Sequence, residues 1–259
     1  MFNFVRSAWV WFSTVLLVVA WTPLLAIRRL FDRDPVRYAT GRLFRDLGVA
    51  MVRINPYWHV SISGELPKNP RRPYIVVSNH QSSADIPFLS HLPWEMKWMA
   101  KSELFSLPFT GWMLRLAGDI RVDRKKPRSA AISLRRAAWY LERKCSVMVF
   151  AEGTRSPDGR VLDFMTGAFH LAIESGTPIL PVAIDGSFDC LPKKTWKFGR
   201  VDRIRIRVLP EVETSGLAPS QVNDLTRQVR GAIIDEIANW RGISSSELDA
   251  SRLALTKAH

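Results

Sequence analysis

The chain has 259 residues, of which 47% are hydrophobic and 24% charged, and this composition excludes a largely disordered chain and a polytopic membrane protein. Lysine and arginine exceed aspartate and glutamate by 13, and the isoelectric point is about 10.3. A surface this basic favours anionic partners such as phosphorylated substrates, a membrane leaflet or nucleic acid. The two cysteines, Cys145 and Cys190, exclude a disulfide framework and favour a reducing compartment.

The N-terminal segment has the composition of a membrane anchor. Residues 7–27 carry no charge, and a helix of these 21 residues is about 31 Å long, close to the hydrocarbon thickness of a bilayer. Trp9, Trp11 and Trp21 lie in this segment, and tryptophan is enriched at the boundary between lipid and water. We therefore predict a membrane-associated helix here.

A second, amphipathic helix follows. Its apolar positions recur at helical spacing and are Leu43, Phe44, Leu47, Ala50, Met51 and Ile54. Between them lie the charged residues Arg42, Arg45, Asp46 and Arg53. The two helices form either a hairpin in one leaflet or a single span, with the rest of the chain on the cytoplasmic side of the inner membrane. In either geometry, deletion of residues 1–55 is expected to move the protein into the soluble fraction.

The remaining sequence alternates strands with helices, the pattern of an α/β domain. Strands are predicted at residues 58–64, 74–77, 147–150, 179–184 and 203–208, and helices at residues 127–144 and 167–174 and from Val222 to Gly242. No repeat or flexible linker divides this region. We predict membrane-anchoring helices in residues 1–57, one domain in residues 58–243 and a frayed C-terminal tail in residues 244–259.

Several familiar catalytic patterns are absent from the sequence. The 14 glycines form neither a G-x-G dinucleotide loop nor a P-loop, and there is no G-x-S-x-G or H-E-x-x-H motif. Covalent serine hydrolysis and zinc hydrolysis are therefore poorly supported.

The first positive signal is a histidine followed by an aspartate five positions later. His80 comes directly after the predicted strand at residues 74–77, and Asp85 lies within reach if the intervening loop folds back. A carboxylate bonded to Nδ1–H fixes the imidazole tautomer and leaves Nε2 as a base toward a substrate. Taken alone, this spacing is a weak signal, and it favours a polar loop in which Ser82 or Ser83 caps a helix.

The second signal is the turn Glu152-Gly153-Thr154-Arg155 at the end of the strand at residues 147–150. Such a turn exposes backbone N–H groups, and an arginine binds a phosphate through two hydrogen bonds. Its alternative is an ordinary β-turn with a solvated ion pair. Since ligands collect beyond the carboxyl ends of strands in open α/β sheets, the turn and His80 together predict a base beside a phosphate site.

Four ordered blocks of the sequence resemble the glycerolipid acyltransferase family. They are Asn79-His80…Asp85, then Lys101…Pro108-Phe-Thr-Gly111-Trp112 with Gly118…Asp123-Arg124, then Phe150-Ala-Glu152-Gly153-Thr154-Arg155-Ser156, and last Pro178-Ile-Leu-Pro181-Val. The resemblance covers residues 74–185. It implies a single mixed, mostly parallel sheet flanked by helices and preceded by the membrane-associated hairpin.

This resemblance also implies an activity. A fatty acyl chain would pass from a thioester of acyl-carrier protein or coenzyme A to the free sn-2 hydroxyl of 1-acylglycerol-3-phosphate, giving phosphatidic acid. His80 would be the general base and Asp85 would orient it. The positions matching substrate contacts are Lys101, Arg124, Glu152, Gly153, Thr154 and Arg155. No metal or bound cofactor is implied, and nucleic acid is not an expected partner.

Two residues depart from the family pattern. Ala151 stands where the family usually has proline, and Met165 replaces a usual lysine. Loss of that cation leaves the acceptor open, so another lysolipid, such as lyso-ornithine lipid, is an alternative. A different class of function is a non-catalytic, membrane-tethered module that binds anionic lipid or nucleic acid through its basic surface, including Arg203, Arg205 and Arg207.

Overall fold

The structure is a computed structural model that describes residues 2–123, 127–192, 195–199 and 203–251. The helices in these ranges are α1 Phe2–Phe31, α2 Tyr38–Arg53, α3 Asp85–Leu89, α4 Thr110–Ala117, α5 Pro127–Glu142, α6 Gly167–Ser175, α7 Ser187–Cys190, α8 Val222–Arg241 and α9 Ser245–Leu248. The strands are β1 His59–Gly64, β2 Ile75–Ser78, β3 Met96–Lys101, β4 Ile120–Val122, β5 Ser146–Phe150, β6 Ile179–Asp185 and β7 Arg203–Val208.

The predicted fold class, one mixed and mostly parallel sheet flanked by helices, is confirmed. Strands β1 and β7, β2 and β6, β3 and β5, and β3 and β4 pair in parallel, whereas β6 and β7 pair antiparallel. Strands buried on both faces read as continuous apolar runs, and β2 and β6 are buried along their whole length. The strands predicted from such runs therefore lie within one or two residues of their observed bounds.

The chain divides into two compact units. The first unit contains residues 1–58, 67–74 and 86–148, and the second contains residues 59–66, 75–85 and 149–259. This grouping by contacts differs from the predicted division into anchoring helices, one domain and a tail, with boundaries at residues 57 and 243. The predicted division describes what each segment does, and it stays a prediction.

The first unit contains both N-terminal helices. Helix α1 packs on α2 through Leu25 and Leu47, with Met113 of α4 in the same apolar cluster, and Trp21 Nε1 donates to Leu43 O at 2.8 Å. On its other side α1 exposes a series of large apolar side chains, among them Phe12, Leu16 and Val19. Within the described residues, this is the helix long and apolar enough to cross a membrane.

A buried cluster of charges holds α2 in the first unit. Arg45 of α2 is 4% exposed and pairs with Asp119 at 2.6 Å, while Lys97 Nζ bonds to Glu95 Oε1 at 2.8 Å. The amphipathic pattern places Arg45 among the charged residues of α2, whereas the structure buries its side chain. The physical reason is that two carboxylates distant in sequence neutralise the buried guanidinium.

The second unit buries apolar side chains of both α8 and the sheet. Val229, Ile233 and Ile237 of α8 and Ile204 and Ile206 of β7 are fully buried, as the predicted helical stripe and strand alternation require. The arginines of β7 alternate with these isoleucines, and two of them contact α8. Arg205 Nη1 donates to Trp240 O and Arg207 Nη1 to Glu236 Oε1, both at 3.1 Å. Helices α6 and α8 end before Gly176 and Gly242, as predicted.

The frayed tail predicted from Ser244 is wrong for the described residues. Ser244 and Glu247 form a capping box for α9, Leu248 is 1% exposed, and Asp249 pairs with Arg230 at 2.7 Å. Helix propensity alone cannot signal so short an element, because its stability comes from packing. Residues 252–259 of the predicted tail lie outside the described residues.

Candidate active site

The His80 imidazole bonds directly to Asp85, as the sequence predicted. His80 Nδ1 lies 2.7 Å from Asp85 Oδ2. The Asp85 side chain is fully buried, whereas the His80 side chain is 13% exposed. The loop after β2 folds back so that the first residue of α3 reaches the ring, and a continuous helix would not allow this contact at five-residue spacing.

The Asp85 carboxylate is fixed by the loop that it closes. Its Oδ2 also accepts hydrogen bonds from the backbone N–H groups of Gln81 and Ser82, at 2.8 and 3.0 Å. The histidine ring and two backbone N–H groups thus converge on one carboxylate oxygen. Ser82 Oγ accepts from Ala84 N at 3.2 Å, but Ala84 precedes α3, so this bond closes a turn in the loop and does not cap the helix.

The ring of His80 is also held from the side. It stacks on Phe150 with a centroid distance of 3.9 Å and an interplanar angle of 16°. Since Nδ1 faces Asp85, the remaining ring nitrogen is Nε2, which has no hydrogen-bond partner among the described residues. The arrangement leaves one oriented nitrogen for a proton from a substrate.

Asn79 anchors the residue before the histidine to the sheet. Its Nδ2 donates to Ile184 O at 2.9 Å, and its Oδ1 accepts from Ile184 N at 3.0 Å. The side chain thereby continues the pairing with β6 after β2 has ended. Sequence reasoning did not give Asn79 a role, although its place between a buried strand and a histidine was a usable signal.

Glu152 is buried under the same loop. Its Oε1 accepts from His80 N at 2.6 Å and its Oε2 from Leu162 N at 3.1 Å. Burial raises the pKa of Glu152 to about 8, while the two backbone N–H donors and Arg230 act in the opposite direction and Asp85 adds to the rise. The predicted substrate contact is therefore a carboxyl group with both oxygens already bonded to the protein.

The rest of the turn lies closer to the surface. Gly153 has φ of 68°, and a Cβ at this position would lie 2.7 Å from Met165 Sδ, so the turn requires glycine. Thr154 is exposed, and Arg155 Nη1 donates to Ser83 Oγ at 2.7 Å. This bond brings the predicted phosphate ligand onto the His80–Asp85 loop.

The two positions that depart from the family pattern contact each other. The carbonyl of Ala151, which is buried, accepts from Met165 N at 2.8 Å and ties the turn to the following loop. The Met165 side chain is 62% exposed. An exposed thioether thus stands beside Gly153, where the family pattern places a cation.

Of the two other predicted phosphate contacts, Lys101 and Arg124, the structure describes Lys101. Lys101 ends β3 in the first unit and pairs with Glu103 at 2.9 Å, which lowers the pKa of Glu103 to about 2. Arg124 lies outside the described residues. Both residues remain predicted phosphate contacts.

No metal-binding group of three or more histidine, cysteine or acidic residues occurs in the described ranges. A cleft of about 550 Å³ lies along α8 and is lined by residues such as Arg227, Asp235 and Ser245. His80 and the Glu152 turn do not line this cleft, so the cleft is distinct from the candidate active site.

Comparison with known proteins identifies the family. A family model named Acyltransferase matches residues 59–185, which include His80, Asp85 and the Glu152–Arg155 turn. The chain is 30% identical over 223 residues to the 1-acyl-sn-glycerol-3-phosphate acyltransferase of Limnanthes alba. The aligned residues cover 84% of this chain and 77% of that relative. The chain belongs to this acyltransferase family.

Other members of the acyltransferase family support the assignment. The mouse 1-acyl-sn-glycerol-3-phosphate acyltransferase alpha is 40% identical over 167 residues, which cover 64% of this chain and 59% of the mouse protein. The aligned region thus spans less than two thirds of the mouse relative. The crystal structure of the 1-acyl-sn-glycerophosphate (LPA) acyltransferase PlsC from Thermotoga maritima, at 25% identity, has a TM-score of 0.71 and covers 89% of this chain and 95% of its own.

Proposed function

We propose that the protein transfers a fatty acyl group from an acyl thioester to the free sn-2 hydroxyl of 1-acylglycerol-3-phosphate, giving phosphatidic acid. The observation that carries this proposal is the His80–Asp85 pair, with Nδ1 and Oδ2 2.7 Å apart at the end of β2. The similarity to proteins named 1-acyl-sn-glycerol-3-phosphate acyltransferase supports the choice of acceptor. The proposed product belongs to phospholipid biosynthesis.

The proposed mechanism needs one base and no protein nucleophile. With Nδ1–H donated to Asp85, His80 Nε2 takes the proton from the acceptor hydroxyl as its oxygen attacks the thioester carbonyl. The tetrahedral intermediate then collapses, the carbon–sulfur bond breaks, and the departing thiolate takes the proton back from His80. The Asp85 carboxylate stabilises the imidazolium that exists between the two proton transfers.

Positive groups are proposed to bind the acceptor phosphate. Arg155 is the candidate supported by its bond to Ser83 on the His80–Asp85 loop. Gly153 and Thr154 belong to the same turn and would contribute backbone and hydroxyl donors. Lys101 and Arg124 are proposed as further phosphate contacts on the basis of the family pattern alone.

Both proposed substrates and the membrane are anionic, in keeping with a net charge of +13. The acyl donor is proposed to be acyl-carrier protein or coenzyme A thioester. We further propose that α1 associates the enzyme with the cytoplasmic side of the inner membrane, as a hairpin with α2 in one leaflet or as a single span. The exposed apolar side of α1 supports this association.

Product analysis with a labelled acyl thioester tests the proposed reaction. Purified protein in detergent is given acyl-carrier protein and coenzyme A donors with a panel of lysolipid acceptors. We expect labelled diacyl product with 1-acylglycerol-3-phosphate, whereas free fatty acid as the only labelled product would indicate hydrolysis and contradict the proposal. Preferential acylation of lyso-ornithine lipid would support the alternative acceptor that the exposed Met165 side chain favours.

Replacing Arg155 by alanine tests the phosphate site. Loss of a charged hydrogen-bond partner is expected to weaken acceptor binding by about 1.5–3 kcal/mol, seen as a raised KM for 1-acylglycerol-3-phosphate. The KM for the acyl thioester should change little. An acceptor affinity within about twofold of wild type would remove Arg155 from the phosphate site.

A further inference from the structure

The Glu152 carboxyl group joins two backbone segments, with one of its oxygens bonded to each. One oxygen accepts from His80 N at 2.6 Å and the other from Leu162 N at 3.1 Å, and the residue is 6% exposed. The first of these amides belongs to the histidine that carries the proposed base. The second lies in the segment between β5 and α6.

The Leu162 peptide is itself held from the other side. Arg230 of α8 donates to Leu162 O and Val161 O, both at 2.8 Å, and pairs with Asp249 at 2.7 Å. A continuous set of bonds therefore runs from the C-terminal segment through Arg230 and the Leu162 peptide to Glu152 and the backbone of His80. Each of these groups lies in the second unit.

We infer that Glu152 is a positioning residue that acts through the backbone of His80, and that it does not contact the acceptor. The inference rests on the proposed function, in which His80 is the base. The Glu152–His80 bond, together with the bond from Ser156 N to His80 O at 2.8 Å, fixes both sides of the histidine's own backbone. With the backbone fixed, the Asp85 bond and the Phe150 stack determine where Nε2 lies.

Steady-state kinetics distinguish a positioning role of Glu152 from a substrate-binding role. A lost positioning contact lowers kcat and leaves KM nearly unchanged, whereas a lost substrate ligand raises KM. Small misplacements of a reacting group cost up to about 100-fold in rate. Glu152→Ala removes both acceptor oxygens, and Glu152→Gln keeps the side-chain length and one acceptor.

The test measures kcat and both KM values for Glu152→Gln and Glu152→Ala, with Glu174→Gln as a matched control at an exposed position of α6. We expect kcat to fall about 10- to 100-fold in the alanine variant and by less in the glutamine variant, with both KM values within about twofold of wild type. The control should match wild type. A raised acceptor KM with unchanged kcat would overturn the inference and return Glu152 to substrate binding.

A readout that does not depend on activity separates this inference from the proposed function. The readout is the NMR resonance of His80 Nδ1–H in protein with isotope-labelled histidine, and this resonance is assigned by its absence in His80→Ala. We expect it to shift in both Glu152 variants and to stay unchanged in Glu174→Gln. If the alanine variant does not fold, the glutamine variant decides. An unchanged resonance in a folded Glu152 variant overturns the inference, while absent acyl transfer by wild type overturns the proposed function alone.

Discussion

At the scale of single residues, the two ring nitrogens of His80 have different surroundings. Nδ1 is bonded to a fully buried carboxylate, while Nε2 has no hydrogen-bond partner among the described residues. The carboxylate in turn receives two backbone N–H groups, so the ring cannot turn without breaking several contacts. The geometry favours the tautomer in which Nδ1 carries the proton and Nε2 is the base.

Exchange of Asp85 for asparagine should reverse that tautomer. In the asparagine variant, the backbone N–H groups of Gln81 and Ser82 are expected to keep the side-chain oxygen that they now bind at Oδ2. The side-chain NH₂ of the asparagine then faces the imidazole. His80 Nδ1 must then accept, and Nε2 carries the proton. We expect kcat to fall about 10²- to 10⁴-fold with little change in the melting temperature. A variant within threefold of wild-type kcat would show that Asp85 does not orient the base.

At the scale of elements, the two N-terminal helices have different surroundings. Helix α2 is tied to β3 and to the segment between α4 and β4 by four buried charged residues, Arg45, Glu95, Lys97 and Asp119. Helix α1 turns large apolar side chains outward. Deletion of residues 1–55 would remove Arg45 and leave the buried Asp119 carboxylate without its counter-ion, so a loss of membrane binding in that variant would not report on the anchor alone.

Substitutions separate anchoring from folding. Phe12, Leu16 and Val19 are 63%, 58% and 42% exposed. Changing all three to serine should weaken co-sedimentation with anionic vesicles tenfold or more, because burial of each apolar side chain in the membrane contributes about 1.5–3 kcal/mol.

Arg45→Met should instead lower the free energy of unfolding by about 3–5 kcal/mol.

The control for Arg45 is Arg227→Met. This residue is 75% exposed and pairs with Asp224 on the surface of α8, so the expected loss is about 0.5 kcal/mol or less. Vesicle binding unchanged by the triple serine substitution would contradict the anchoring role of α1. A stability loss in Arg45→Met no larger than in Arg227→Met would contradict the buried cluster.

The elements also show what the sequence can and cannot predict. Apolar runs and helical stripes are local, so β2, β6 and α8 follow from them, and so does the placement of His80 at a strand end. The burial of Arg45 could not be predicted, because its partner Asp119 lies 74 residues away. Likewise, the family pattern points to Glu152 as a functional residue, but only the structure shows that it bonds to the backbone of His80 and Leu162.

At the scale of the whole molecule, three features point to catalysis at a lipid surface. The chain is strongly basic, with a net charge of +13, α1 exposes an apolar side, and the oriented histidine belongs to a known acyltransferase family pattern. The basic surface and α1 would serve a binding module equally well. The His80–Asp85 pair is the structural feature that a module that merely holds anionic lipid would not need.

The most direct test of the central claim is acyl transfer by His80→Ala, measured with labelled acyl thioester and 1-acylglycerol-3-phosphate and accompanied by liposome binding. We predict that transfer is lost, by at least about 10²-fold, while the variant binds liposomes as wild type does. Full acyl transfer by His80→Ala would contradict the account, because the proposed base would then be dispensable.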